Sequence, residues 1–261
     1  MTEYIHGFAP EEQQRLIAQA EFWAERLITP GLPYRAGDRL LEIGCGVGAV
    51  LGILGDYVPG LLLAGIDRSE AQLHAASAHL KGRNADLRLG DARTLPWDAA
   101  SFEHVYIMWV LEHVQDPLPF LVEARRVLKP GGTITIHETD YETFLSWPAD
   151  PSIACVAKAQ RALFADRGNA YIGRQLGASL SAAGFTNVQS TPMGFSYHQG
   201  QPELAAFVDY FLGFLEPMLP AMVSAGFDAS TLEEGFRAMR NLPTLPLASL
   251  TQIVFRATGR A

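Results

Sequence analysis

The sequence predicts an α/β fold, and three observations carry that prediction. Short apolar runs of strand length recur, several of them closing on an acidic residue. Three glycines in alternate positions follow the first of these runs. Helical patterns lie between the runs and are stopped by Pro and Gly. With 48% hydrophobic residues in a chain of 261, the core of one such domain and a modest insertion can be buried.

The first strand is Arg39-Leu40-Leu41-Glu42-Ile43. Gly44-Cys45-Gly46-Val47-Gly48 makes the turn, and Ala49-Val50-Leu51 opens a helical pattern. Glycine tolerates positive φ and has no Cβ, so a ligand can lie against bare backbone there. The helix N-terminus adds free N–H groups and a partial positive charge. A dinucleotide site expects G-x-G-x-x-G, whereas Gly44, Gly46 and Gly48 give G-x-G-x-G. Glu42 stands close to the turn and suits a cationic ligand part, such as an ammonium group, better than a pyrophosphate. A glycine turn can also serve strand-to-helix packing alone.

The second strand, Leu61 to Ile66, ends in Asp67, 19 residues after Gly48. That spacing puts a strand-end acid on ribose hydroxyls in an α/β nucleotide site. Asp67 could instead cap the next helix. Ser69 can fill that role itself, which would leave Asp67 free. The third strand, Leu87-Arg88-Leu89, runs into Gly90-Asp91-Ala92. Asp91 could accept from an exocyclic amine such as that of adenine, or simply form a turn. Residues 101–114 pass from a β-like stretch into a loop. A helix follows, with Leu118, Leu121, Val122 and Leu128 on one side, and Pro130-Gly131-Gly132 stops it. Thr133 to Glu138 is the next strand.

In this order the segments resemble the class I S-adenosylmethionine-dependent methyltransferases. The resemblance rests on Glu42 with Gly44, Gly46 and Gly48, on Asp67, on Gly90-Asp91, on Leu111-Glu112-His113, and on Leu128-Lys129-Pro130-Gly131-Gly132. Glu42 stands where Asp is commoner in that family, and Cys45 lies inside the turn. The resemblance implies a seven-stranded Rossmann-like sheet of order 3-2-1-4-5-7-6, with the last strand antiparallel. It implies S-adenosylmethionine as cofactor and S-adenosylhomocysteine as its product. The expected cofactor site comprises Glu42, Gly44, Cys45, Gly46, Gly48, Asp67, Arg68, Gly90, Asp91, Ala92 and Trp109. Tyr4-Ile5-His6-Gly7-Phe8 resembles a segment that folds over the cofactor in such domains, which adds Tyr4. Tyr171 to Leu176, running into Ala183-Gly184-Phe185, resembles the helix before the last hairpin in small-molecule members.

Composition limits the alternatives. No run of 18 apolar residues is present, so no membrane span is expected. The start, Met-Thr-Glu-Tyr, has no secretory apolar region. Two distant cysteines do not make a disulfide framework, and a cytoplasmic protein is expected. The net charge of −8, without a Lys/Arg-rich block, argues against nucleic acid as substrate. No metal site is predicted, and a monomer or homodimer is expected.

The expected organisation is one domain over 1–261, with an N-terminal lid and helix over 1–38. Helical cap insertions are expected at 141–172 and 201–248, the latter between hairpin strands at 186–194 and 250–258. In the second insertion Phe207, Tyr210, Phe211 and Phe214 crowd together. A cap over an apolar pocket would use them, and so would plain core packing. Ligands in open α/β sheets bind at the carboxyl ends of the strands. The fifth strand delivers Glu138, Thr139, Asp140 and Tyr141 there. The expected catalytic residues are His113, as a base where the acceptor must lose a proton, and Asp140, to orient the substrate. His6, His137 and His198 are further candidate bases. The expected substrate contacts are His6, Tyr141, Phe144, Trp147, Tyr171, Arg174, His198, Phe207 and Phe211. The expected activity is methyl transfer to a small, largely apolar metabolite. A cofactor-binding enzyme of other chemistry, such as a sulfonium-assisted cyclisation, and a non-catalytic nucleotide-binding module are the alternatives.

Overall fold

In the computed structural model, which describes residues 10–261, five strands run parallel. They are β1 (Arg39–Ile43), β2 (Leu62–Asp67), β3 (Asp86–Leu89), β4 (Phe102–Met108) and β5 (Leu128–Thr139). β1 sits between β2 and β4, and its residues 39–43 pair in register with 62–66 of β2. Three strands complete the sheet: β6 (Leu145–Trp147), β7 (Thr186–His198) and β8 (Ser249–Arg260). β8 is antiparallel to β5 on one edge and to β7 on the other. β6 pairs with residues 249–251 of β8, beyond the stretch that β5 covers. With that three-residue strand set aside, the order is the expected 3-2-1-4-5-7-6 with an antiparallel final strand. The hairpin strands run longer than expected: β7 continues past residue 194 to His198, and β8 spans Ser249–Arg260 rather than 250–258.

The helices are α1 (Pro10–Trp23), α2 (Ala49–Tyr57), α3 (Glu70–His79), α4 (Leu118–Val127), α5 (Pro151–Arg167), α6 (Ile172–Ala182), α7 (Pro202–Leu215), α8 (Leu219–Ser224) and α9 (Ala229–Asn241). Their starts follow local chemistry. Ser69 accepts from Gln72 N to cap α3, and Asp150, with Pro151 behind it, accepts from Ser152 N and Ile153 N to cap α5. A π-turn, Ala24–Ile28, continues α1, and Arg256 donates to the Leu27 carbonyl within it at 2.5 Å and to the Pro30 carbonyl beyond it at 2.7 Å.

Strand alternation separates two cores. Leu41, Ile43, Val105, Ile107, Ile134 and Ile136 face α4 and α6. Leu40, Tyr106, Met108, Leu250 and Val254 face α1, α5 and α7. By the same parity Glu42, His137, Thr139 and Gln252 lie on the α1 side, which makes that face unusually polar for a buried one. Pro202–Ser224 is long and apolar enough, by length and composition, to cross a membrane, although it contains no unbroken run of 18 apolar residues. In this fold its Leu204, Phe207, Val208, Phe211, Leu212, Phe214 and Leu215 are buried in the α1-side core.

Candidate functional site

The three turn glycines all have positive φ, and they do different work. A Cβ on Gly44 would meet Val110 Cγ2 at 2.4 Å, and one on Gly48 would meet Leu80 Cδ1 at 2.8 Å. A Cβ on Gly46 meets no heavy atom within 4 Å. The outer glycines therefore serve packing, and the middle one opens onto space a ligand can use. Asp67 faces that space from β2. Its Oδ2 accepts from Gly46 N and its Oδ1 from Ser69 N, both at 2.9 Å. Ser69 does cap its helix, but Asp67 is not left free as expected. Each carboxylate oxygen keeps a second lone pair for a hydroxyl. Burial pushes Asp67 up, against those two bonds.

Glu42 is 3% exposed, its Oε2 has no partner among the described residues, and burial raises its pKa well above the ordinary range. Such a group asks for a cation or a donor from a ligand. An open glycine, a strand-end acid and an unsatisfied carboxyl together fit the ribose and amino-acid parts of S-adenosylmethionine.

The carboxyl ends of β4 and β5 build the adjoining site. Trp109 leaves β4 with φ +52°, an uncommon conformation for a bulky residue. Its Nε1 donates to Thr139 Oγ1 at 3.0 Å. Glu138 accepts from Val110 N, Leu111 N and Glu112 N at 2.9, 2.6 and 3.3 Å, and so caps the short 3-10 turn Leu111–His113. That turn carries Glu112, which accepts from Tyr141 OH at 3.0 Å and lies 3.6 Å from His113 Nε2. Burial, and for Glu112 the nearby Glu138 carboxyl, raises both acids. Burial, with Arg68 and Arg15 nearby, lowers His113 to about 4.

Over these groups lies a small cavity of about 30 Å³, room on the order of two waters. Gln19 and Trp23 of α1, Gln160 of α5, and Tyr210, Phe211 and Phe214 of α7 form its outer wall. Trp109, Glu112, Thr139, Tyr141, Gln252 and Val254 form its floor.

The cavity gathers Trp109, Tyr141 and Phe211 from the expected set. It also gathers Glu112, Gln160 and Gln252, none of which the sequence singled out as a contact. His113 stands behind Glu112 rather than on the wall. Asp140 is 1% exposed and held in an ion pair with Arg174 Nε and, at 2.9 Å, Nη2, while also accepting from Glu142 N. It is off the cavity wall, and so is Arg174. Tyr171 packs beneath Arg174, with the guanidinium 5.4 Å from its ring. His137 is fully buried, between Tyr106 OH at 3.0 Å and Arg256 Nε at 2.8 Å. Since Arg256 can only donate, His137 Nε2 is an acceptor whose lone pair is already taken, and the ring does not line the cavity, which corrects its candidacy as a base. Phe144 packs edge-on against Phe211. Phe207 is wholly buried against Trp23, Tyr197 and Phe211. Trp147 is 59% exposed on β6, and His198 is exposed at the end of β7. Neither reaches the cavity. Cys45 is buried inside the glycine turn, Arg68 is exposed beside Asp67, and Gly90 and Ala92 flank the β3 end. Asp91 there is exposed and paired with Arg93. Tyr4 and His6 lie outside the described residues.

A parallel sheet closed by an antiparallel hairpin, with this turn and this acid, defines the Rossmann-like fold of class I methyltransferases. Residues 41–136 match the family model described as a methyltransferase domain. Over 252 residues the chain is 29% identical to 27-O-demethylrifamycin SV methyltransferase of Amycolatopsis mediterranei, covering 94% of this chain and 88% of that one. It is 34% identical over 200 residues to an uncharacterized 37.1 kDa transposon protein of Streptomyces fradiae, a match covering 75% of this chain but only 55% of that relative's length. A putative methyltransferase from Bacillus halodurans has the same fold, with a TM-score of 0.59, 16% identity, and coverage of 94% of this chain and 97% of that one. Residues 41–136 are thus a methyltransferase domain of the class I S-adenosylmethionine-dependent kind, and along most of its length the chain is similar to a named methyltransferase.

Proposed function

We propose that this protein transfers a methyl group from S-adenosylmethionine to a small, largely apolar acceptor held in the aromatic cavity. The observation that carries the reading is the adjacency of two sites. Gly44 of the nucleotide turn abuts Val110, next to Trp109 on the cavity wall. Gly46, Asp67 and Glu42 would hold the cofactor, which supplies a methyl group activated on a sulfonium sulfur. The walls contributed by α1, α5 and α7 act as the cap, and they exclude water from the reacting centre. Where the acceptor must lose a proton, Glu112 is the carboxyl among the lining residues. Its raised pKa makes its ionised form a stronger base than an exposed carboxylate. His113 then acts through Glu112. A relative named for a methyltransferase acting on 27-O-demethylrifamycin SV supports a small-molecule acceptor. Free Cys45 and Cys155 are consistent with a cytoplasmic protein.

Calorimetry with S-adenosylhomocysteine and with NAD tests the nucleotide reading. Binding of the first, weakened about tenfold or more in Asp67→Ala, is expected from lost charge-assisted hydroxyl bonds. Preferential binding of NAD would overturn it. Label transfer from methyl-labelled S-adenosylmethionine to a metabolite extract tests the chemistry. Turnover products without label would assign a different reaction, such as cyclisation.

A further inference from the structure

Gln252, in β8, is 2% exposed, and its surroundings determine which way its amide points. Its Nε2 lies 2.7 Å from Thr143 Oγ1, 3.1 Å from Asp140 O and 3.3 Å from Ile253 O. Three oxygen neighbours identify that atom as the nitrogen. Its Oε1 has no partner among the described residues, and the side chain lines the cavity. Gln160, on α5, lines the same cavity at 1% exposure, with neither amide atom bonded. Buried polar groups in folded proteins are almost always satisfied, and an apolar residue of the same shape is the more stable choice where they are not. Two carboxamides with unsatisfied atoms, one in the outer wall and one in the floor of the same cavity, therefore point to a ligand.

We propose that Gln160 and Gln252 form a clamp for a neutral acceptor bearing a hydroxyl on an unsaturated ring, a phenol or an enol. This rests on the methyl-transfer reading of the same site. Gln252 Oε1 requires a donor. Gln160 Nε2 requires an acceptor. A hydroxyl is both, whereas an ammonium offers only donors and leaves the Gln160 N–H groups unpaired. Trp109, Tyr141 and Phe211 provide faces and edges for the ring. The present cavity admits the polar end of such a molecule, so α1 and α7 separate to admit the rest.

The test titrates 2-naphthol, naphthalene and 2-(aminomethyl)naphthalene into the full-length protein, with and without S-adenosylhomocysteine, and repeats this with Gln160→Leu. The protein is expected to bind 2-naphthol about tenfold more tightly than either other probe, because a site built for a hydroxyl rejects analogues lacking it. Gln160→Leu is expected to lose that preference, to bind naphthalene no more weakly, and to melt at a higher temperature. If Gln160→Leu does not fold, Gln160→Met is measured instead. Equal affinities for 2-naphthol and naphthalene, no detectable naphthol binding, preference for the ammonium probe, or a preference that survives substitution would each overturn the clamp. S-adenosylhomocysteine failing to bind would sink the methyl-transfer reading instead, and the probe comparison made without it still decides the clamp.

Discussion

Glu138 Oε1 accepts the Leu111 N–H at 2.6 Å, and through that bond the end of β5 sets the turn that carries Glu112. The acid contributes three hydrogen bonds to one turn and does not itself line the cavity. Glu138→Ala leaves buried N–H groups unsatisfied and is expected to destabilise the fold by about 3 kcal/mol. Glu138→Gln keeps an acceptor oxygen and should recover much of that loss. Urea denaturation of both variants checks this, and an unaffected Glu138→Ala would show that the turn needs no cap.

The glycine turn separates stability from binding. Gly44→Ala and Gly46→Ala both force an alanine into the left-handed region, at about 1–2 kcal/mol each. Only Gly44→Ala also drives a Cβ into Val110. Gly44→Ala should therefore melt at the lower temperature. Gly46→Val should keep most of its fold and lose S-adenosylhomocysteine binding, because the space its side chain enters is ligand space. Normal binding by a folded Gly46→Val protein would reduce the turn to a packing device.

His113 gives a pH signature. Its folded pKa is lowered to about 4, so between pH 6.5 and 4 the unfolded chain holds a proton that the folded chain does not. Stability of the wild type is lost as pH falls through that window, by up to about 3 kcal/mol at its lower end. Above pH 6.5 the histidine contributes nothing to the pH dependence. His113→Asn removes this one group and keeps every other titration. The stability difference between variant and wild type should thus shift in the variant's favour as the solution is acidified from pH 7 to 4. A difference independent of pH would place His113 in contact with solvent.

Much of this was legible because it is local. β1, its glycine turn and the acid at the end of β2 occupy short continuous segments, and strand and helix periods distinguish them. Cap chemistry at Ser69 and Asp150 is equally local. The cavity is not. Glu112, Gln160 and Gln252 come from a turn, a helix and a strand that only the folded sheet brings together, and no spacing rule connects them. Facing also escapes the sequence when an element is short. Trp147 lies on a three-residue strand, Leu145-Ser146-Trp147, too short for its alternation to fix a face, and with Leu145 it turns to solvent. Asp140 and Arg174 are separated by α5, so their ion pair could not be read from either neighbourhood, and it is what takes Asp140 off the cavity wall.

Phe207 and Phe211 stand one turn apart on α7, and the structure gives them different work. Phe207 is completely buried, stacked near Phe22 and edge-on to Trp23, so it joins α7 to α1. Phe211 touches Phe207 and Phe144 but also forms part of the cavity wall. Phe207→Ala is therefore expected to act on stability, by about 3–5 kcal/mol, as a large core ring lost to a cavity. Its effect on acceptor KM should be small in whatever fraction stays folded. Phe211→Ala enlarges the acceptor cavity and should raise KM for the acceptor while S-adenosylhomocysteine affinity stays within about twofold, since apolar burial of a ring is worth roughly 1.5–3 kcal/mol to the ligand it touches. Melting curves, steady-state kinetics and a sizing run on the two variants separate these outcomes. A selective KM effect from Phe207→Ala would shift the acceptor site along α7 towards its contact with α1, and no KM effect from Phe211→Ala would move it away from α7 and towards Tyr141 and the floor of the sheet. A change of oligomeric state in either variant would instead make this helix part of a subunit interface.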